Sequence, residues 1–276
     1  MKTTIQLSQE NLSEIGSRIH VPNYKRTSLK TGIVHIGVGG FHRAHQAYYL
    51  HQLKQQDKDS DWNICGIGLR EPDSNLHDIF KKQDHLYTLL VKHPDGKIEP
   101  EVIGSIIDFE MGTSNPEAVI ARMANIETKI VSLTITEGGY NFNATTGDFN
   151  FENSDIQHEL ENPNEPITVY GFLTAALKRR RENGLPAFTV LSCDNIEHNG
   201  NMIRKMLLAF VEIQDLDLAK WIAREVSFPN SMVDRITPMT TNADIETLAQ
   251  AYNVKDECAW FLINFVNILL NAYLSL

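Results

Sequence analysis

Apolar positions fall along the chain in two alternating regimes, short β-branched runs and longer stretches of helical spacing. Ile33 to Val38 (IVHIGV) follows the turn signal Lys30-Thr31-Gly32, and Ala44 to Leu53 continues with helix-forming residues. This order predicts a strand, a tight turn and a helix. Comparable strand-like runs recur at 62–69, 86–91, 129–136 and 187–193, most of them followed by helical spacing. Helices are expected over Pro116–Ala124, Ile167–Arg181, Asn201–Gln214 and Leu216–Val226, the second stopped by Asn183-Gly184. The alternation predicts an α/β fold around a largely parallel sheet. Residues 138–152 (GGYNFNATTGDFNFE) are polar and turn-rich with interleaved aromatics, and are expected to leave the sheet as a hairpin.

Composition narrows the function classes. With 25 Lys+Arg against 35 Asp+Glu, the 276 residues carry a net charge of −10. Nucleic acid is bound mainly by neutralising its phosphates with Lys and Arg, so no nucleic-acid partner is expected. Met1 to Asn23 lacks the uninterrupted apolar core of a secretory signal, which predicts a cytoplasmic protein. Cys65, Cys193 and Cys258 are far apart, with no C-x-x-C and no His at metal spacing. Neither a disulfide scaffold nor a zinc site is expected from them.

The chemistry begins where the first strand ends, at Gly37-Val38-Gly39-Gly40-Phe41-His42. The first two glycines of G-x-G-x-x-G are present, and His42 stands where the third belongs. Gly37 permits a tight turn, and Gly39 lets backbone amides approach a pyrophosphate. A plain strand-to-helix turn would use the same glycines; their place after a buried strand and before a helix favours a nucleotide. Asp73 or Glu71, after the second strand, could accept hydrogen bonds from the adenosine ribose. Their distance from the turn exceeds the usual spacing of about 20 residues, and the polar loop 55–61 accounts for the excess. Arg70 beside them could instead face a 2′-phosphate; NAD is favoured over NADP. In His42-Arg43-Ala44-His45, Arg43 is a candidate phosphate contact and His42 a structural or cofactor contact. No third ligand accompanies the two histidines, so no metal is expected there.

Four segments, in order, resemble the mannitol dehydrogenase family of polyol-specific long-chain dehydrogenases. They are 32–47 (GIVHIGVGGFHRAHQA), 132–140 (SLTITEGGY), 192–195 (SCDN) and 227–238 (SFPNSMVDRITP). The resemblance runs from the N-terminus to about Asp256. It implies a Rossmann-like NAD-binding domain over 1–257, and metal-independent, reversible hydride transfer between NAD(H) and a small-molecule polyol or keto-sugar. Mannitol and fructose are the leading pair; fructuronate or tagaturonate reduction, or an NAD-binding module without chemistry, are the alternatives. The resemblance also gives Asn195 as donor of a hydrogen bond to the reacting oxygen, a role suited to an amide that stays neutral while charge develops. Asp234 would bind substrate hydroxyls or orient the catalytic base, and Thr136, Glu137 and Gly138 would line the nicotinamide side. On the residues alone, Asn195 reads as a helix cap and Asp234 as an ion-pair partner of Arg235.

The sequence also departs from the family. The family's catalytic lysine lies in a K-x4-N-x2-H pattern within a second, helical domain. Here Lys58 and Lys178 are followed at the right distance by Asn63 and Asn183, but Gly66 and Pro186 stand in the place of His. Loss of such a base removes roughly two to four orders of magnitude in rate. After Glu257 the chain is uncharged and mostly apolar to Leu276, with Asn264, Asn267, Asn271 and Ser275 along one helical stripe. The run is marginal for the roughly 20 residues a bilayer needs and lacks basic anchors, so no membrane span is expected. The expectation is a divergent apolar tail over 258–276, left by a frameshift or premature termination. The helical catalytic domain would then be absent and the chain a truncated, inactive form.

Overall fold

The computed structural model describes residues 4–26, 29–56, 61–93, 95–143, 145–233 and 235–263. Among these, the strands in chain order are β1 Ile5–Gln6, β2 Thr31–Ile36, β3 Asn63–Gly68, β4 Tyr87–Lys92, β5 Ile98–Ile103, β6 Ile106–Met111, β7 Ile130–Leu133, β8 Thr189–Ser192, β9 Val254–Lys255 and β10 Trp260–Ile263. Five of them form a sheet in the order β6-β3-β2-β7-β8, parallel throughout. Successive residues of β2 point to opposite faces, and all six are buried because both faces are covered. Val34 and Ile36 meet helices Pro116–Ala124, Val169–Glu182 and Asn199–Gln214. Ile33 instead packs with Ala44, Ala47 and Phe80.

The run at 86–91 forms a strand, but outside this sheet. β4 pairs antiparallel with β5, and β10 joins β4 in parallel to complete a three-stranded sheet. The short link from Lys92 to Ile98 dictates this, because a parallel return needs a crossover of about a dozen residues or more. The sheet edge is taken by β6, whose Asp108 and Glu110 are half-buried and receive Arg122 from helix Pro116–Ala124. The expected hairpin within 138–152 is present as an antiparallel bridge between Phe142 and Phe149. Cys258 is buried and Trp260–Ile263 form β10, so the first residues of the expected tail are packed into the fold; 264–276 lie outside the described residues.

The helix expected from Ala44 begins earlier and is broken. Gly40–Ala44 and Gln46–Gln55 are separated by His45 at φ −115°, ψ −96°. Carbonyls near the break find other donors: Tyr87 Oη donates to Arg43 O at 2.5 Å, and Arg235 Nη1 to Ala44 O at 3.2 Å. The short helix is held onto β2 by two imidazoles, His42 stacked on His35 with ring centroids 3.4 Å apart. Both are buried. Burial pushes His35 down to about 3 and His42 well below the ordinary imidazole range, so both rings are neutral in the fold.

This pairing has a pH signature. Both folded-state values lie below the unfolded value of about 6.5, so the stabilisation is complete above that pH and is lost as pH falls toward the folded values. Thermal melts should therefore weaken from pH 7 to pH 5. The His42→Phe variant keeps a flat ring against His35 without taking up a proton on unfolding. Its loss of stability with falling pH should be shallower by up to about 1.4 kcal/mol per pH unit, measured by chemical denaturation across that range. Parallel curves for the two proteins would refute the assignment.

Candidate functional site

The order of the parallel sheet reverses beside β2, and a crevice forms there at the carboxyl ends of the strands. The turn after β2 is the centre of it. Gly37 has φ +93°, and a Cβ at this position would overlap the Thr134 carbonyl oxygen, so only glycine fits. Gly37 N donates to Ile67 O at 3.0 Å, and Thr134 Oγ1 donates to Gly37 O at 2.6 Å, which pins the turn to both neighbouring strand ends. Beneath it, the His35 ring contacts Ser132 Oγ at 2.8 Å through Nδ1 and Thr134 Oγ1 at 2.9 Å through Nε2. A Cβ on Gly39 would meet only Gly37 O, at 3.9 Å, which leaves this stretch of backbone open to close approach. The imidazole stack takes over the packing role of the missing third glycine, bringing helix and strand together through flat rings.

Two clefts open on the turn and share Gly37, Arg70, Asp73, Thr134 and Thr136 as common walls. The first, about 490 Å3, is completed by Leu69, Ile135, Gly138 and Val169 among others. The second, about 510 Å3, adds Val38, Gly39, Gly40, Phe41, Arg43, Asn195 and Trp260. Asp73 receives the Arg70 amide at 3.1 Å and its guanidinium at 3.3 Å, while the Arg70 side chain remains largely exposed.

Most of the expected site residues among the described ones line one or both of these clefts. His42 is buried under the turn and lines neither cleft. Arg43, the expected phosphate contact, is buried and engaged elsewhere. Its Nη1 donates to Cys258 O at 2.6 Å, and its guanidinium lies 4.6 Å from the Trp260 ring centroid. Glu137 is exposed and lines neither cleft. Asn195 lines the second cleft and is not a helix cap, since His198 holds the N-cap of Asn199–Gln214. Asp234 lies outside the described residues; its neighbour Arg235 stacks over Tyr48 and Tyr49.

The sequence reading missed the group that joins the ends of β7 and β8. The buried carboxylate of Asp194 accepts from Ile135 N at 3.1 Å, Thr136 N at 2.9 Å and Tyr140 Oη at 2.9 Å. Thr136 has φ +60°, and these bonds hold its backbone in that conformation. Asn199 then ties in the following loop: its Oδ1 accepts Ser231 N at 2.9 Å, and Ser231 Oγ donates to Ser192 O at 2.5 Å. Away from the clefts, Cys65, Asp108 and Glu110 lie close enough to share a cation. The Arg122 guanidinium already bonds both carboxylates, and burial pushes the Cys65 thiol up, which makes this cluster an ion-pair network.

Comparison with known proteins fits this geometry. Residues 31–272 match the mannitol dehydrogenase Rossmann domain. Mannitol 2-dehydrogenase of Pyricularia oryzae is 47% identical over 261 residues, covering 92% of this chain and 51% of the relative. That of Aspergillus fumigatus is 48% identical over 259 residues, covering 91% and 51%. The solved structure of Pseudomonas fluorescens mannitol 2-dehydrogenase in ternary complex with NAD and D-mannitol superposes with a TM-score of 0.89 at 45% identity, covering 94% of this chain and 52% of that one. A substrate-free D-sorbitol dehydrogenase gives 0.89 at 41%, covering 94% and 54%. The chain spans about half the length of the curated relatives it matches. With its glycine turn at the switch point of a parallel sheet and this match over most of its length, the chain belongs to the mannitol dehydrogenase family through its Rossmann domain.

Proposed function

We propose that this chain is the NAD-binding part of a polyol oxidoreductase that interconverts mannitol and fructose. The observation that carries the reading is the Gly37 turn, a backbone concavity at the switch point with two clefts opening on it and an acidic residue, Asp73, at the start of the helix that follows β3. The amides of the Gly37–Gly40 turn would hold the pyrophosphate. Asp73 would accept the adenosine ribose hydroxyls, and Arg70 would hold that carboxylate in place. The apolar walls Leu69, Ile135 and Val169 suit the first cleft to the adenine ring, which moves Gly138 to the adenine end. The second cleft would take the nicotinamide end, because it is lined by Asn195, which the family resemblance gives as donor to the reacting oxygen.

When bound, NAD supplies the hydride acceptor or donor. Asn195 stabilises developing alkoxide charge while staying neutral, and Asp194 fixes the adjoining backbone through Ile135 and Thr136. Asp234 would bind substrate hydroxyls or orient the base. The base itself is not supplied by these residues, since no K-x4-N-x2-H pattern occurs in the sequence. That observation favours binding without turnover for the 276-residue chain by itself. Uronate reduction uses the same cofactor site and is distinguished by substrate.

Titration with NADH, followed by its fluorescence, should show saturable binding to the 276-residue chain. Adding fructose, fructuronate or tagaturonate should leave the nicotinamide absorbance unchanged relative to buffer. Fructose-dependent NADH consumption would refute the binding-only reading, and no saturable binding would refute the nucleotide reading altogether. The Asp73→Ala variant should bind NADH about tenfold more weakly, which corresponds to about 1.4 kcal/mol. NADPH binding should be unchanged or improved; an equal loss for both would remove Asp73 from the ribose role.

A further inference from the structure

The nucleotide reading leaves three features unexplained: a third glycine at position 40, an arginine whose guanidinium is committed to a carbonyl and a ring, and a tryptophan in the cleft wall. One arrangement connects them. Gly40 sits in a helix and needs no special backbone conformation. A Cβ there would instead overlap the Trp260 indole at Cε2, Cζ2 and Nε1. The ring therefore rests directly on the first residue of the helix that follows the glycine turn.

Trp260 is held in that place from three sides. Its backbone pairs in register with Leu89 of β4. Arg43 backs the ring as a cation and bonds the Cys258 carbonyl, a contact strengthened by burial. The chain just before it is clipped to β4 by the buried carboxylate of Asp256, which accepts from Thr88 N at 2.5 Å, Gln83 Nε2 at 2.9 Å and Cys258 N at 2.8 Å. The indole nitrogen is buried without a hydrogen-bond partner, so the ring is placed by packing and by Arg43. Its remaining surface lines the second cleft beside Gly39, Phe41 and Asn195.

We propose that Trp260 is a cofactor-contacting residue that also seats the glycine turn, so that the 256–263 segment forms one wall of the dinucleotide site. The proposal rests on the NAD reading above. Arg43, which also lines the second cleft, backs the indole and acts on it as a positioning residue. A rigid aromatic wall favours binding by presenting contact area already fixed before the ligand arrives.

A double-mutant cycle on the full chain tests the steric coupling, with NADH as the probe and thermal melts to confirm folding. Gly40→Ala alone should weaken NADH binding about tenfold or more, because the new methyl displaces the ring. Trp260→Ala should also weaken it by about tenfold, and adding Gly40→Ala in that background should cost less than about a further twofold. Trp260→Phe should recover most of the affinity. It should also remove the largest part of the tryptophan quenching by bound NADH, since the two other tryptophans, Trp62 and Trp221, line neither cleft. If Trp260→Ala fails to fold, Trp260→Leu takes its place in the cycle. Wild-type affinity in folded Trp260→Ala or Trp260→Leu, or losses that multiply in the double variant, would overturn the proposal while leaving the NAD reading intact. Absence of any NADH binding by the unmodified chain would overturn both.

Discussion

The contact between Gly37 and the Thr134 carbonyl is the constraint on which the site depends. It forces the turn after β2 against the end of β7, the strand on the other side of the switch point, and allows no side chain between them. Both clefts exist because that wall is shared. The contact is maintained from below by hydroxyl groups: Thr134 donates to Gly37 O, and Ser132 and Thr134 bracket the His35 ring. A histidine inside a β-branched strand would be costly if charged. Here it remains neutral and joins two strands through its ring nitrogens, which turns a polar interruption of the strand into the support of the turn.

The charges near the turn are arranged differently from what local sequence suggests. Arg43 and Arg235 both lie close to the first helices, yet each guanidinium is committed to carbonyls and aromatic rings. Their proximity, together with burial, also holds nearby imidazoles in the neutral form, His45 being pushed down to about 4 with Arg235 contributing. The helix Gly40–Ala44 is short, so its dipole gives little field of its own. A pyrophosphate at this turn would therefore be held mainly by backbone amides whose positions are fixed by packing.

Much of this was legible from the sequence, where the signal was local. The strand at 31–36, the glycine turn, and the helices over 116–124 and 216–225 follow from short-range pattern, and their bounds differ from expectation by few residues. The misses share a physical cause. β6 reads as mixed polarity because it is an edge strand whose acids meet Arg122, a partner supplied by a later helix. Asp194 looks like one half of a capping dipeptide, while its partners are backbone amides of Ile135 and Thr136 that carry no side-chain signature. Trp260 lies in a segment, 258–276, whose composition marked it as foreign, and only its pairing with β4 reveals that an apolar residue there has a specific seat.

The same distinction explains how chemistry is divided in a chain that spans about half the length of its relatives. Cofactor binding at a parallel sheet needs little beyond strand ends and turns, and those are contiguous in sequence from the first strand to Asn195. Hydride transfer to or from a hydroxyl carbon also needs a proton to move in concert with it, and so a group of suitable basicity beside the oxygen. Asn195 is suited to donate to that oxygen, but an amide cannot accept the proton. On the proposed reading, proton transfer would come from a group outside the binding turns and would meet the dinucleotide at the second cleft. A wall built by Trp260 on that cleft ties the proposed cofactor site to the 256–263 segment, which lies within the stretch that matches the Rossmann domain. On the proposed reading, binding and catalysis are separable because the turn that would hold the cofactor is stabilised from within its own sheet.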